Sequence, residues 1–120
     1  MSEITQVRFV LAVLDLAGSS EFYQTVLGLV VDFTAPGWIF LSRGNFHVML
    51  GECTDAIPPG DLGDHSWYGY VKVSDAAALF GEYQAAGAEF TQTLADKPWS
   101  MREFGVRTVD GHRIMFGQEL

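Results

Sequence analysis

The sequence predicts an α+β fold built from two tandem βαβββ modules, and three observations lead there. The first is an internal repeat: Val13-Leu14-Asp15 recurs as Val73-Ser74-Asp75, half a chain length later in 120 residues. The second is that each aspartate follows a strand-like segment and opens an amphipathic stretch of helical period that stops at a glycine. The third is that short β-type runs, separated by hairpin-type turn signals, follow each of those glycines.

Taken in order, residues Val7 to Val13 read as the first strand. Asp15 is placed to cap the helix that follows, because a short side-chain oxygen can accept from the orphan amides of a first turn. Phe22, Tyr23, Val26 and Leu27 share one helical face, and Gly28 supplies the left-handed position that ends the helix. Leu29 to Phe33, Trp38 to Leu41 and Phe46 to Gly51 then read as strands, with Gly44-Asn45 turning between the last two. The second half repeats this pattern. Tyr68 to Val73 is a strand, Asp75 a cap, Leu79, Phe80, Tyr83 and Ala86 an apolar face, and Gly87 a stop. Glu89 to Thr93, Arg102 to Arg107 and Arg113 to Phe116 complete it, with Asp110-Gly111 as a turn. Module one spans about residues 1–53 and module two about 67–120. Between them, about residues 54–66, lies a linker holding Pro58, Pro59, Gly60 and Gly63.

Composition narrows the function. An apolar fraction of 48% with 13% aromatics supplies a core and argues against disorder. A formal net charge of -8 disfavours nucleic acid and anionic membrane surfaces as partners, since both demand clustered Lys and Arg. The lone Cys53 excludes an intramolecular disulfide and any multi-cysteine zinc site, and stands beside the acidic Glu52 as a weak nucleophile candidate. The sequence shows no secretory signal pattern and no apolar run of about 20 residues, so a cytoplasmic location is the expectation. Nucleophile-elbow, P-loop, dinucleotide-binding and HExxH motifs are missing.

The segment Phe22-Tyr23-Gln24-Thr25-Val26-Leu27-Gly28-Leu29 and the closing Asp110-Gly111-His112-Arg113-Ile114-Met115-Phe116, set in two βαβββ halves, resemble the vicinal-oxygen-chelate superfamily of glyoxalases, bleomycin-resistance proteins and extradiol dioxygenases. The resemblance spans nearly the whole chain and implies a mixed sheet curled into a cup, with helices on its convex side. In metal-dependent members it implies a His on the first strand, Glu or Gln on the fourth, His on the fifth and Glu on the last. In this sequence those places are held by Arg8, Met49, Tyr68 and Met115. Arginine has no lone pair, thioethers suit soft metals, and a phenol stays protonated at neutral pH. No metal and no other cofactor is therefore expected, and the resemblance points to the bleomycin-resistance-like branch.

Candidate ligand-binding residues follow from strand alternation and this register. Arg8 would point into the cup, where its guanidinium either grips a carboxylate or phosphate or serves a structural ion pair. His47 and Met49 share the cup face of the fourth strand, His47 as a base, donor or rim residue and Met49 as adaptable packing, like Met115. Tyr68 and Tyr70 are expected on one face of the fifth strand, continued by Lys72, either contacting a ligand or bracing the sheet. Trp38, Trp67 and Trp99 fall at strand starts and in a loop, which favours a ligand wall or an interface. Arg102 and Glu103 must project to opposite faces, and Arg102 is the candidate for reading an anionic group. His65 beside Asp64 is a further candidate imidazole.

The sequence thus reads as a metal-independent small-molecule-binding protein that sequesters a flat or amphipathic ligand in an aromatic- and methionine-lined cleft. Its acidity favours a cationic ligand, as a basic antibiotic would be. The resemblance implies a homodimer and an antibiotic-resistance role. Two alternatives stand beside it. One is a lyase, isomerase or oxidoreductase of glyoxalase or dioxygenase type using His47, His65, Glu52 or Glu103 around a non-standard metal site. The other is a protein-interaction module.

Overall fold

Asp15 and Asp75 each do the same work in the computed structural model, which describes residues 2–63 and 66–120. The Asp15 carboxylate accepts from the Gly18 amide at 3.2 Å and opens α1 (Leu16–Thr25). Asp75 accepts from the Ala78 amide at 3.0 Å and opens α2 (Ala76–Ala85). Gly28 and Gly87, at φ of 78° and 83°, adopt the left-handed conformation beyond each helix. The amides that follow close the caps, Leu29 N–H on Tyr23 O and Ala88 N–H on Tyr83 O.

The strands are β1 (Phe9–Val13), β2 (Val30–Ala35), β3 (Trp38–Arg43) and β4 (Phe46–Glu52) in module one. Module two holds β5 (Trp67–Lys72), β6 (Glu89–Lys97), β7 (Met101–Arg107) and β8 (Arg113–Glu119). Each module forms one four-stranded mixed sheet, ordered β1-β4-β3-β2 and β5-β8-β7-β6. In both, the strand before the helix pairs in parallel with the last strand, while the other pairings are antiparallel. The sequence repeat is therefore a repeat of topology. One turn of 3₁₀ helix at Pro59–Leu62 lies in the connecting segment.

Strand alternation sorts each sheet into a helix side and an open face. Leu11, Val13, Leu41, Val48 and Leu50 bury the helix side of sheet one, and Phe104, Val106, Ile114 and Phe116 that of sheet two. Tyr23 of α1, Leu27 just beyond that helix and Tyr83 of α2 complete a common core. The modules meet through helix-side groups. Tyr23 and Tyr68 share a hydroxyl hydrogen bond of 2.9 Å, the Tyr83 hydroxyl donates to Leu27 O at 3.0 Å, and Arg43 pairs with Glu82 at 2.6 Å. Phe46 and Phe116 pack edge to face across the same seam. The open faces consequently point away from the core, and they carry exposed rings: Phe33, Trp38, Trp67, Tyr70 and Trp99. No helix is long and apolar enough to cross a membrane among the described residues.

Candidate functional site

The open face of sheet two holds a hollow of about 460 Å³ lined by Trp67, Tyr70, Gln92, Trp99, Glu103 and Met115. Two of its side chains, Tyr70 and Met115, lie over glycines. A Cβ at Gly117 would collide with the Tyr70 hydroxyl, and one at Gly105 would lie 2.8 Å from the Met115 sulfur. Tyr70 thus lies across Gly117 and donates to Glu103 Oε2 at 2.7 Å. Partial burial, and then the carboxylate it bonds, push the Tyr70 hydroxyl up to about 12, so it remains a donor at neutral pH.

Trp99 reaches the same atom from a hairpin tip. The β6–β7 loop is Pro98-Trp99-Ser100, closed by Ser100 N–H on Lys97 O at 3.1 Å, with Ser100 left-handed at φ 63°. A three-residue hairpin with a left-handed third residue is a favoured geometry. From there the Trp99 indole N–H approaches Glu103 Oε2 at 3.4 Å. Glu103 itself is only 5% exposed, whereas Trp67, Tyr70 and Trp99 are 48%, 47% and 62% exposed.

The open face of sheet one carries a different set. The Arg8 guanidinium lies 5.2 Å from the centroid of the Phe40 ring, a cation–π arrangement. Its Nη1 is buried without a hydrogen-bond partner, as is His47 Nδ1, while His47 Nε2 meets Gln6 Nε2 at 3.2 Å. Met49 is half-buried on this face, and the Trp38 ring lies over Gly51. Strand β1 begins at Phe9, so Arg8 stands just before it.

Two expectations are corrected. Tyr68 does not share a face with Tyr70. The β5–β8 register shifts between Trp67 and Gly69, and this bulge breaks the two-residue period. Tyr68 turns to the helix side, where it bonds Tyr23 and packs edge-on to Phe9 and His112. Burial, first, and then Tyr23 hold its hydroxyl far above the ordinary range. Arg102 does not line the open face either. It has the parity of Phe104 and Val106, and its guanidinium is bound by both Asp96 oxygens at 2.7 and 3.1 Å. Glu103, its neighbour, is the residue that faces the hollow.

Of the residues weighed for an enzymatic alternative, the described ones do not converge. Glu52 Oε2 accepts from the Leu16 amide at 3.3 Å at the start of α1, His47 lies on sheet one and Glu103 on sheet two. His65 and Asp64 fall outside the described residues, and Cys53 is exposed.

The model of the Glyoxalase/Bleomycin resistance protein/Dioxygenase superfamily matches residues 5–116. The chain belongs to this superfamily. Solved structures agree with that placement. TioX from Micromonospora sp. ML1 is 28% identical over 97% of this chain and 99% of its own, with a TM-score of 0.81. TnmS3, an antibiotic binding protein from Streptomyces sp. CB03234, is 20% identical over 100% and 99% of the two chains, with a TM-score of 0.81. The bleomycin-binding protein from Streptomyces verticillus, solved with copper(II)-bleomycin, is 22% identical over 97% of each chain, with a TM-score of 0.75. At 20% and 22% identity, the last two likenesses concern the fold. No curated protein matches by sequence.

The divalent ion associated with the superfamily's enzymes does not suit the side chains present. Of the four places, Arg8 offers a cation, Met49 and Met115 offer thioethers, and the Tyr68 phenol is bonded to Tyr23 on the other side of the sheet. Among the described residues no three of His, Cys, Asp and Glu gather as a ligand set.

Proposed function

We propose that this superfamily member binds and sequesters a flat or amphipathic small molecule, without a metal and without turnover. The observation that carries this reading is the ring of exposed Trp67, Tyr70 and Trp99 around a hollow floored by Met115. Exposed indoles beside a tyrosine that Gly117 leaves room for form a stacking platform. The antibiotic- and bleomycin-binding neighbours support a small molecule as its object. The open face of sheet one, with Arg8, Trp38, His47 and Met49, supplies the opposite wall from a second subunit. Uncovered apolar faces of this kind are characteristic of interfaces and ligand grooves. In such a homodimer each cleft joins sheet one of one protomer to sheet two of its partner.

A thermal-shift screen of aromatic and peptide antibiotics tests the proposal, run in parallel on the parent and a Trp67→Ala/Trp99→Ala variant. A ligand at about 100 times its Kd adds about 2.7 kcal/mol of stability. The expected result is a hit that stabilises the parent and leaves the variant unmoved. Equal stabilisation of both proteins, or no hit at all, contradicts it.

A further inference from the structure

Among the described residues Glu103 meets no counter-charge. Among the described residues it is the one ionisable carboxylate in the buried class, and no ion pair of theirs includes it. Three of the chain's seven basic side chains are committed elsewhere: Arg43 to Glu82, Lys72 to Glu119 and Arg102 to Asp96. The two contacts Glu103 does receive, from Tyr70 and Trp99, both fall on Oε2. They orient the carboxylate and leave its charge standing. A carboxylate removed from water costs free energy unless a cation meets it. Trp67, Tyr70 and Trp99 line the same hollow, and aromatic rings are surroundings in which organic cations are recognised.

We infer that the hollow on sheet two selects ligands bearing an organic cation, a protonated or quaternary amine or a guanidinium, which docks on Glu103 between Trp67, Tyr70 and Trp99. This rests on the cleft proposed above and adds the ligand class and the residue that reads it. Net charge reinforces the choice, because at -8 the chain attracts cations from a distance. The flat shape is read by stacking and the charge by the carboxylate, so the two can be separated.

N-methylacridinium and acridine separate them, having nearly the same shape with and without a fixed positive charge at mildly alkaline pH. Calorimetric titration of the full chain should show the cation binding about tenfold or more tightly than acridine. Glu103→Gln should bring that ratio to about one. In the parent, the Glu103 carboxyl ¹³C resonance should move with N-methylacridinium and not with acridine, a readout that does not depend on the variant folding. Equal affinity of both probes for the parent overturns the inference and leaves the cleft intact. Binding of neither probe removes the cleft reading itself. A preference that is missing in the parent but emerges in Arg8→Ala would mean that Arg8 of the partner subunit already occupies Glu103, which also overturns the inference.

Discussion

The Tyr68 hydroxyl meets the Tyr23 hydroxyl at 2.9 Å inside the seam between the two modules, on the helix side of the sheets and away from the open face. Tyr68→Phe is therefore a stability variant. It removes one buried hydrogen bond and strands the Tyr23 hydroxyl, at a cost of about 1–3 kcal/mol. Denaturant unfolding should show that loss while affinity for any ligand stays within about twofold of the parent. A large loss of affinity with unchanged stability would contradict this placement of the ring.

This position also marks where the sequence stops being readable. Helix starts at Asp15 and Asp75, stops at Gly28 and Gly87, and the presence of eight strands follow from local pattern, though β1 starts at Phe9 and not Val7, and β6 runs on to Lys97 past Thr93. The bulge at Trp67-Tyr68-Gly69 depends on pairing with β8, and nothing in Trp67-Tyr68-Gly69-Tyr70 announces it. Arg102 and Glu103 are a different case. Their opposite faces were legible, and the parity of Arg102 with Phe104 and Val106 was a signal that Glu103 faces the hollow. Gly105 and Gly117 carried no such signal, because their value lies in which side chains cross above them.

Gly117→Ala should be costly for that reason. Its Cβ would collide with the Tyr70 hydroxyl and displace it from Glu103. The expected destabilisation is about 1–3 kcal/mol. In a double-mutant cycle with Tyr70→Ala, the combined loss should be smaller than the sum, since the obstructing ring is gone. Additive losses would show that Tyr70 does not lie across Gly117.

Trp99→Ala should separate binding from folding. The ring is 62% exposed at a hairpin tip, so its removal should change stability by less than about 1 kcal/mol. Stacking and burial lost together should weaken a flat ligand about tenfold or more. A variant that unfolds, or one that binds as tightly as the parent, contradicts the role given to Trp99.

His112 predicts a pH dependence. It is buried, packs edge-on to Tyr68, and has no partner at Nδ1. Burial lowers its proton affinity below the ordinary histidine value near 6.5, and Asp110 opposes this in part. A lowered folded value means the unfolded chain binds the proton first. The contribution is thus full above about pH 6.5 and declines as pH falls below it. Thermal melts from about pH 7.5 to about pH 5.5 should fall more steeply for the parent than for His112→Phe. Identical slopes would show that His112 does not couple to folding.

The three indoles offer the most direct test of where the ligand sits. Trp38 lies on sheet one, Trp67 and Trp99 border the hollow on sheet two, and each gives one side-chain N–H signal in a ¹⁵N–¹H spectrum. Titrating N-methylacridinium into the full chain should shift the Trp67 and Trp99 indole signals together, with the backbone amides of Glu103 and Met115. Backbone amides of Tyr23 and Tyr83, on the helix side, should stay in place. Shifts confined to residues of the inter-module seam, with both indoles unmoved, would contradict the central claim that the open face of sheet two binds the ligand.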